Sequence, residues 1–414
     1  MIKFGSWLVR WEWLLLLALL PAVLIPISFW PLLLLVLPGL WFARWSVTDH
    51  FVPPTPLNGP LAGLLFMVLV GMGVTPDLAF SWPKIAGLVY GIALFYGAVA
   101  FTGRAPRHIW LTVGGLWLCG LGTAGLSLVG AQWPNKIPAL AALIHPLRPL
   151  SLFADSFSPN EIAGVLLWSL WPMITLTTMA WRVWGRKRPF VTLALSVMAI
   201  GVFSLFLLTQ SRSAFLGFAA GGGLVIVAMA GRHRRPVLWG GLLLLGLGLG
   251  ALILTPAGQW LWSGGDALNS LSGRAEIWSR AWYAILDFPL TGLGMNNFRR
   301  IAPILDPFFL ITPGLDIAHA HNHLLQTAVD LGLPGLAAYL AIWAVTGRVL
   351  YQKWLTQPKL WSRSLYLGVA AGLLAYFVYG LTDAVALGAR PGFIFWLLLG
   401  LALSNEPETV LQAN

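Results

Sequence analysis

Long apolar stretches alternate with short polar segments from one end of this chain to the other. Each stretch approaches the roughly 20 residues that an α-helix needs to cross about 30 Å of hydrocarbon. The stretches predict twelve spans, near residues 12–27, 29–43, 60–75, 85–102, 109–129, 160–182, 190–208, 213–231, 236–254, 323–349, 364–382 and 391–404. The pattern therefore predicts an all-α membrane protein with about 12 transmembrane helices, folded as a single polytopic domain over residues 1–414.

The composition supports a membrane protein and excludes a soluble globular domain. Of the 414 residues, 58% are hydrophobic and 9% are charged, whereas a soluble domain carries roughly 25% charged residues. The first apolar run lacks a small-residue cleavage site and another run follows at once, so we expect it to be retained as a span. Cys119 is the single cysteine, so no disulfide framework is expected.

The basic residues predict the orientation of the chain in the membrane. Sixteen of the 25 lysines and arginines fall in six segments that the twelve-span arrangement places on one side. These segments are the N-terminus, Arg44, 103–107, 182–188, 231–235 and 348–363. Cytoplasmic loops carry an excess of positive charge, so this side is predicted to be the cytoplasm, with both termini on it. The same bias accounts for the net charge of +11 without nucleic acid as a partner.

Two polar segments on the predicted outer side are long, one from about 130 to 159 and the other a large loop over 255–322. Loops longer than about 12–15 residues are uncommon unless they serve a function. We therefore expect functional residues in or beside these segments.

The second outer segment contains a helical pattern over 272–288. Trp278, Trp282 and Ile285 follow helical spacing and are predicted to share one face. The pattern predicts an amphipathic helix that lies on the outer membrane surface.

Three of the chain's seven histidines lie within five residues, at the start of "HAHNHLLQTAVDLGLPG" (319–335). Histidine titrates near neutral pH, so His319, His321 and His323 are candidates for a general base. A metal site is one alternative, although histidines two residues apart on a helix do not converge well on an ion. Packing at the membrane interface is the other alternative. We interpret the cluster as proton-handling residues at the mouth of a span.

An arginine in a very short outer turn is the second signal. Arg212 lies in "TQSRSAFLG" (209–217), between two apolar runs. The positive-inside bias argues against an arginine there, and a charge at mid-membrane costs about 2.5–3.5 kcal/mol, so its presence indicates a function. A guanidinium binds phosphate through two parallel hydrogen bonds and stays protonated. Further basic residues on the predicted outer side are Arg274, Arg280, Arg299, Arg300, Arg390 and Lys84, of which Arg300 and Lys84 also suit contact with lipid headgroups.

Acidic residues on the outer side form no DxD or ExD pair. Enzymes that hold a diphosphate through a divalent cation usually cluster carboxylates around it. We therefore predict diphosphate binding by arginine alone, with no metal and no cofactor. Asp330, about two turns into the tenth span, is expected to be a paired intramembrane acid, and "GLGMNNF" (292–298) is expected to be a tight turn.

Taken together, four segments resemble the O-antigen ligase and O-antigen polymerase family of bacterial membrane glycosyltransferases. They are "SFSPNEIAG" (156–164), "TQSRSAFLG" (209–217), "SGRAEIWSRAWYAILDFPLTGLGMNNF" (272–298) and "HAHNHLLQTAVDLGLPG" (319–335). In the last segment, His321, Asn322, Gly332 and Gly335 fit the ligase spacing of His, a small amide or hydroxyl, nine residues, Gly, two residues, Gly. The "LAAYL" that follows Gly335 departs from the small polar residues of some ligases, which leaves ligase and polymerase both open.

The resemblance implies a fold like that of the C-type glycosyltransferases (GT-C), with its active site on the outer face. It implies a bacterial inner-membrane protein with a periplasmic active site and an undecaprenyl-diphosphate-linked glycan as donor. It assigns His321 as the catalytic residue and Arg212 and Arg274 as the residues that bind the diphosphate. Further candidates for substrate contact are His319, Asn322, Arg280 and Arg390.

These expectations predict a metal-independent, inverting transfer of the glycan to an acceptor hydroxyl, with lipid A-core as the first candidate acceptor. The same residues would serve a polymerase, whose acceptor is another lipid-linked glycan. A bicarbonate-type transporter of the same family is a further alternative. A transporter should show inverted repeats and helices broken at mid-membrane, whereas the polar residues here crowd one side.

Overall fold

The computed structural model describes residues 2–24, 30–131, 133, 158–230, 271–311 and 315–404, with a few single positions between 236 and 246. Over these residues the secondary structure is helical, without a β-strand. We label the helices α1 (Ile2–Leu24), α2 (Val36–Thr48, after a 3₁₀ turn Trp30–Leu35), α3 (Asn58–Val74), α4 (Leu78–Thr102), α5 (Pro106–Gly130), α6 (Pro159–Trp184), α7 (Pro189–Leu208), α8 (Arg212–Met229), α9 (Leu271–Asp287), α10 (Phe298–Leu305), α11 (His323–Thr356), α12 (Leu360–Tyr379) and α13 (Phe393–Leu403, after a 3₁₀ turn Arg390–Gly392).

The helices overlap eleven of the twelve predicted spans within the described part of the chain. The remaining span, 236–254, lies largely outside the described residues, as do the outer segment 130–159 and the basic segment 231–235. Among the described residues, seven helical stretches are long and apolar enough to cross a membrane, and two shorter apolar helices accompany them. The prediction of an all-helical membrane protein is therefore confirmed, while the count of twelve crossings and the GT-C-like arrangement stay predictions.

Local sequence signals explain where several helices begin. Proline occupies the first helical position of α5, α6 and α7, where its missing N–H would have had no helical partner. Asp77 caps α4, because its side chain accepts a hydrogen bond of 3.0 Å from the Phe80 N–H.

Helix α12 packs closely against both α6 and α8. Two glycines of α8 make this possible: a Cβ at Gly217 would lie 2.2 Å from the carbonyl oxygen of Ala375, and one at Gly221 would lie 2.7 Å from that of Ala371. Membrane helices without a hydrophobic driving force between them rely on such close backbone approach. The contact brings the C-terminus of α12 beside the N-termini of α6 and α8.

Basic segments that the sequence assigns to one side do meet at one end of the bundle. Arg104 donates to the backbone oxygens of Val9 and Arg10, at 2.6 and 2.8 Å. At the same end, the rings of Trp184 and Trp361 lie 4.6 Å apart. The identification of this end with the cytoplasm stays a prediction.

The segment that holds α9 and α10 packs against the first half of α11 in a second apolar core. Ile277, Ala281 and Ile285 form the buried face of α9, whereas Trp282 is 54% exposed. Trp282 and Ile285 follow helical spacing as predicted, but they differ in burial, because Ile285 lies at the edge of the face that packs on the protein and Trp282 lies beyond it. The small side chain of Ala281 permits close contact between helices, which the bulk of an indole would prevent.

Helix α11 is kinked at Gly332, whose φ of 69° and ψ of 179° lie outside the helical region. A turn of the preceding segment fills the break: Leu293 N–H donates to Val329 O, and Leu333 N–H donates to Pro289 O, both at 2.7 Å. These bonds satisfy backbone groups that the kink would otherwise leave buried without partners. The predicted tight turn at 292–298 is thus held against the helix that begins at the histidine cluster.

Candidate active site

The three histidines lie at the entrance to α11 and not along it. The helix begins at His323, and Asn322 caps it by accepting hydrogen bonds from Leu324 N–H at 2.9 Å and Leu325 N–H at 3.1 Å. His321 has a φ of 48°, in the left-handed region that only a few per cent of non-glycine residues adopt. Such conformations persist where surrounding contacts enforce them, often at functional sites.

A carboxylate from the end of α12 contacts His321. Asp383 Oδ1 lies 3.1 Å from His321 Nδ1 and also accepts a bond of 2.9 Å from Ala384 N–H. Burial alone would raise the pKa of Asp383, but the neighbouring His321 and Arg274 hold it well below its usual range. The carboxylate is therefore ionised and fixes Nδ1–H as the hydrogen bond donor, which leaves Nε2 of His321 as the basic nitrogen.

Arg274 joins three parts of the site. Its Nη2 lies 3.5 Å from Asp383 Oδ2, and its Nη1 donates to Ser213 Oγ at 3.3 Å and to the Thr382 carbonyl oxygen. The side chain is buried, and its Nε has no hydrogen bond partner among the described residues. Arg274 thus fixes α9 to the start of α8 and to the turn that carries Asp383.

Arg212 opens α8, directly after a buried polar turn. In this turn Gln210 adopts a φ of 50°, a second left-handed residue at the site. The Arg212 side chain is half-buried and lies close enough to Arg274 for the two positive charges to interact. The sequence-based pairing of Arg212 and Arg274 is therefore matched by their proximity.

His319 lies beside His321 and remains uncharged near neutral pH. Desolvation, followed by the charge of His321, lowers the pKa of His319 to about 3. Its Nδ1 accepts a hydrogen bond of 3.2 Å from the backbone N–H of His321. This bond stabilises the left-handed conformation of His321, so His319 helps to position the His321 ring.

His323 is separated from the polar site by its burial, with 3% of its surface exposed. Its Nδ1 lies 2.9 Å from the hydroxyl of Tyr339, and its ring contacts the edges or faces of Trp343, Tyr376 and Phe377. Among the three histidines, His321 is the one that pairs with a carboxylate.

His319, His321 and Asp383 nevertheless bring one nitrogen or oxygen each to within 4.8 Å of one another, which is a geometry that a metal ion accepts. His319 and His321 converge better than helical spacing predicts, because both precede the helix and the left-handed turn at His321 brings their ring centroids to 4.4 Å. The donor set fits a cation poorly, since its one carboxylate, Asp383, already pairs with Arg274, whose positive charge would repel a cation beside it.

The other three residues predicted to contact substrate, Asn322, Arg280 and Arg390, lie in different surroundings. Asn322 uses its side chain as the helix cap and donates from Nδ2 to Leu381 O at 2.9 Å. Arg280 donates to Pro307 O at 3.1 and 2.8 Å and lies 3.4 Å from Glu276, so it stabilises the turn that follows α10. Arg390 lies at the same end of the bundle, close enough to Glu161 to interact with it. The structure therefore brings His321, His319, Arg212 and Arg274 together and places Arg280 in a structural contact.

Asp383 is the residue that sequence reasoning missed. In the sequence it is one of several acids on the predicted outer side that form no DxD or ExD pair, and 62 residues separate it from His321. The signal that was present is its position immediately after the eleventh predicted span, on the side where the histidines lie. Spacing along the chain could not pair the two, because α11 and α12 bring them together only after crossing the bundle twice.

The region that contains this site is similar in sequence to known proteins. Residues 193–340 match the family model described as O-Antigen ligase, a range that contains Arg212, Arg274 and His321 but not Asp383. Over 268 residues the chain is 23% identical to the teichuronic acid biosynthesis protein TuaE of Bacillus subtilis (strain 168), an alignment of 62% of this chain and 51% of the relative. The chain thus spans about half the length of this curated relative. These matches confirm the resemblance to the O-antigen ligase and polymerase family, whose members are membrane glycosyltransferase-like enzymes.

Proposed function

We propose, from the O-antigen ligase match and the geometry around His321, that this chain transfers a glycan from undecaprenyl diphosphate to an acceptor hydroxyl at the outer face of the bacterial inner membrane. The first candidate reaction is O-antigen ligation, with lipid A-core as acceptor. The observation that carries the proposal is the 3.1 Å contact of His321 with the buried carboxylate of Asp383, beside Arg274. This arrangement supplies a base for a hydroxyl and positive charge for an anionic leaving group.

His321 is proposed as the general base. Its Nε2 accepts the proton of the acceptor hydroxyl while Nδ1–H donates to Asp383 Oδ1. The hydroxyl oxygen forms a bond to the anomeric carbon, the bond from that carbon to the diphosphate oxygen breaks, and the diphosphate leaves with the electron pair. Attack from the face opposite the leaving group inverts the anomeric configuration. Asp383 stabilises the imidazolium that forms, as a buried carboxylate does beside a catalytic histidine.

Arg212 and Arg274 are proposed to stabilise the departing diphosphate. Negative charge grows on the leaving group in the transition state, so fixed cations that face it accelerate the reaction. Arg212 can offer a planar pair of donors to phosphate oxygens. Both terminal nitrogens of Arg274 contact protein groups and its side chain is buried, so it contributes its positive charge to the diphosphate site. No metal is required in this scheme, because a diphosphate is already a good leaving group.

Polymerisation of repeat units is the second candidate function. The relative TuaE is a protein of teichuronic acid biosynthesis, and teichuronic acid is a polysaccharide. This favours an acceptor that is itself a lipid-linked glycan. The chemistry at His321 would be unchanged, and only the acceptor would differ.

Membrane placement completes the proposal. We infer that both termini lie in the cytoplasm, that residues 1–414 form one membrane domain and that the 255–322 segment is periplasmic. The clustering of basic segments at the end of the bundle opposite to His321 supports this orientation.

Single-turnover transfer from a defined undecaprenyl-diphosphate oligosaccharide, measured beside donor binding in detergent, tests the proposal. His321→Ala should lower the rate by about 10²- to 10⁴-fold, the usual effect of losing a general base, and leave donor binding nearly unchanged. Arg212→Ala should weaken donor binding as well as the rate, and Arg212→Lys should restore only part of it, because an ammonium lacks the planar fork. His323→Ala is the matched control and should cost much less in rate per folded molecule. Near-normal transfer by His321→Ala would refute the mechanism.

A further inference from the structure

A second polar group adjoins the histidine site, and the mechanism above does not use it. It consists of Lys84 in α4, Glu161 in the first turn of α6 and Arg390 in the turn before α13, and we call it the Lys84–Glu161–Arg390 cluster. Glu161 lies close enough to interact with Lys84, Arg390 and Asp383. Asp383 therefore links this cluster to Arg274 and His321.

Close packing around Tyr379 fixes one member of the cluster, Glu161, beside the site. The hydroxyl of Tyr379 donates to the carbonyl oxygen of Asn160 at 2.9 Å, and a Cβ on Gly164 would lie 2.5 Å from the Tyr379 ring. Tyr379 ends α12, so these contacts position the first turn of α6, and with it Glu161, next to the turn that carries Asp383.

A glycine with a left-handed backbone conformation fixes the other two members of the cluster, Lys84 and Arg390. Gly388 has a φ of 76°, and a Cβ there would lie 1.8 Å from the carbonyl oxygen of Lys84. Only a glycine permits this approach, and it places Arg390, two residues later, beside Lys84. The three charged residues thus come from three separate elements and are held together by packing that does not depend on their own side chains.

The charges of the cluster do not satisfy one another at short range. Within the part of the chain that the structure describes, none of Lys84, Glu161 and Arg390 forms an ion pair within 4.0 Å. Lys84 and Glu161 are half-buried. Removing charged groups from water without close partners is unfavourable, so a ligand that hydrogen bonds to them would gain affinity.

The mixture of one acid and two bases indicates the kind of ligand. A carboxylate accepts hydrogen bonds from sugar hydroxyls, and an ammonium or guanidinium donates to hydroxyl and ring oxygens. A phosphate would be repelled by Glu161, which forms no ion pair within 4.0 Å among the described residues, whereas the acid beside the Arg212–Arg274 pair, Asp383, is paired with Arg274 and His321. We propose that the Lys84–Glu161–Arg390 cluster is the acceptor subsite, which binds the sugar whose hydroxyl is presented to His321. This inference rests on the proposed glycan transfer.

The test separates acceptor binding from donor binding. Single-turnover transfer is measured with lipid A-core and with a second undecaprenyl-diphosphate oligosaccharide as acceptors. Glu161→Gln and Lys84→Gln should each raise the acceptor KM by about 10- to 100-fold, as expected for the loss of a hydrogen bond to a charged group, and leave the donor Kd unchanged. Arg212→Ala should show the opposite split. Asp287→Asn, which changes an exposed carboxylate of α9, is the control and should alter neither.

A binding measurement keeps the subsite testable if transfer itself fails. Titration of the delipidated core oligosaccharide and of the free repeat-unit oligosaccharide into purified protein needs no turnover. Binding of either glycan that Glu161→Gln weakens at least tenfold, with unchanged unfolding temperature, supports the subsite. Binding that the variant leaves intact, an absence of glycan binding by the wild type, or a donor Kd that rises together with the acceptor KM would each overturn it. Absence of transfer by the wild type beside normal glycan binding would refute the proposed function and not the subsite.

Discussion

Replacement of Asp383 by asparagine is the sharpest perturbation of the site, because it removes one negative charge and almost no volume. The Asp383 carboxylate now fixes the proton on Nδ1 of His321 through a contact of 3.1 Å. An asparagine amide in the same place can donate to Nδ1 and move the proton to Nε2. The imidazole would then have no basic nitrogen available for the acceptor hydroxyl.

The size of the effect follows from these contacts. A hydrogen bond to a charged group contributes about 1.5–3 kcal/mol, and each 1.36 kcal/mol is a tenfold change, so loss of the bond alone lowers the rate by about 10- to 150-fold. The wrong tautomer adds to this loss, and about 10⁴-fold is the effect of the same change in a serine protease triad. We therefore expect Asp383→Asn to reduce single-turnover transfer by about 10²- to 10⁴-fold, with donor binding changed much less.

The pH dependence of the wild type should carry no signature of Asp383. Its pKa lies well below the usual range, so the contribution of the carboxylate to stability is fully present above the unfolded-state pKa of about 3.9 and is lost only as the pH falls through the lower, folded value. Between about pH 5 and pH 8 the carboxylate stays ionised, so it does not limit the rate in this range.

The assay is single-turnover transfer in detergent, with the unfolding temperature of each variant measured in parallel. Asp316→Asn is the matched control, since it removes a carboxylate from an exposed pair with Arg299, and exposed pairs contribute about 0–1 kcal/mol. A rate for Asp383→Asn within about threefold of the wild type, in a folded variant, would show that the His321–Asp383 contact is structural and that the base assignment lacks its support.

Metal removal, a glycine substitution and cysteine labelling test three other features of the protein. Treatment of purified protein with EDTA should leave transfer intact, and a loss that magnesium or manganese restores would contradict arginine-only binding of the diphosphate. Gly332→Ala should destabilise the protein and lower its unfolding temperature, because the added Cβ would lie 2.6 Å from the Leu290 carbonyl group at a φ of 69°, whereas Gly347→Ala on the same helix meets nothing within 4 Å and should be neutral or stabilising. Cysteine labelling of intact cells, in a Cys119-free background, should modify Ile304→Cys from outside and Lys187→Cys only after permeabilisation, and the reverse result would invert the proposed orientation.

Several elements of the fold follow from local sequence alone. The apolar runs that predict spans at 85–102, 160–182 and 323–349 coincide with α4, α6 and α11, because a helix is the element that satisfies its own backbone in hydrocarbon. The histidine cluster was recognisable because polar side chains are rare in so apolar a chain. The family resemblance followed from motifs whose residues lie close together along the sequence, and it led to His321, Arg212 and Arg274.

Contacts between distant residues were not predictable in this way. The side of α9 that packs on the protein could not be chosen from the sequence, because helical spacing gives a periodicity without saying which side a neighbouring helix will cover. The closeness of the His319 and His321 rings was also unexpected. It results from the left-handed φ of His321, which depends on the turn that contains this residue.

The sequence by itself determined that this is a helical membrane protein and approximately where its described helices lie, because hydrophobic length is a local property. It also carries the short motifs on which the resemblance to the O-antigen ligase family depends. Tertiary structure alone decided the partner of the histidine. Asp383 meets His321 because glycines on α8 let α12 pack closely enough to bring the end of one helix beside the beginning of another. Such a contact depends on the packing of side chains across the whole bundle, and no spacing along the chain encodes it.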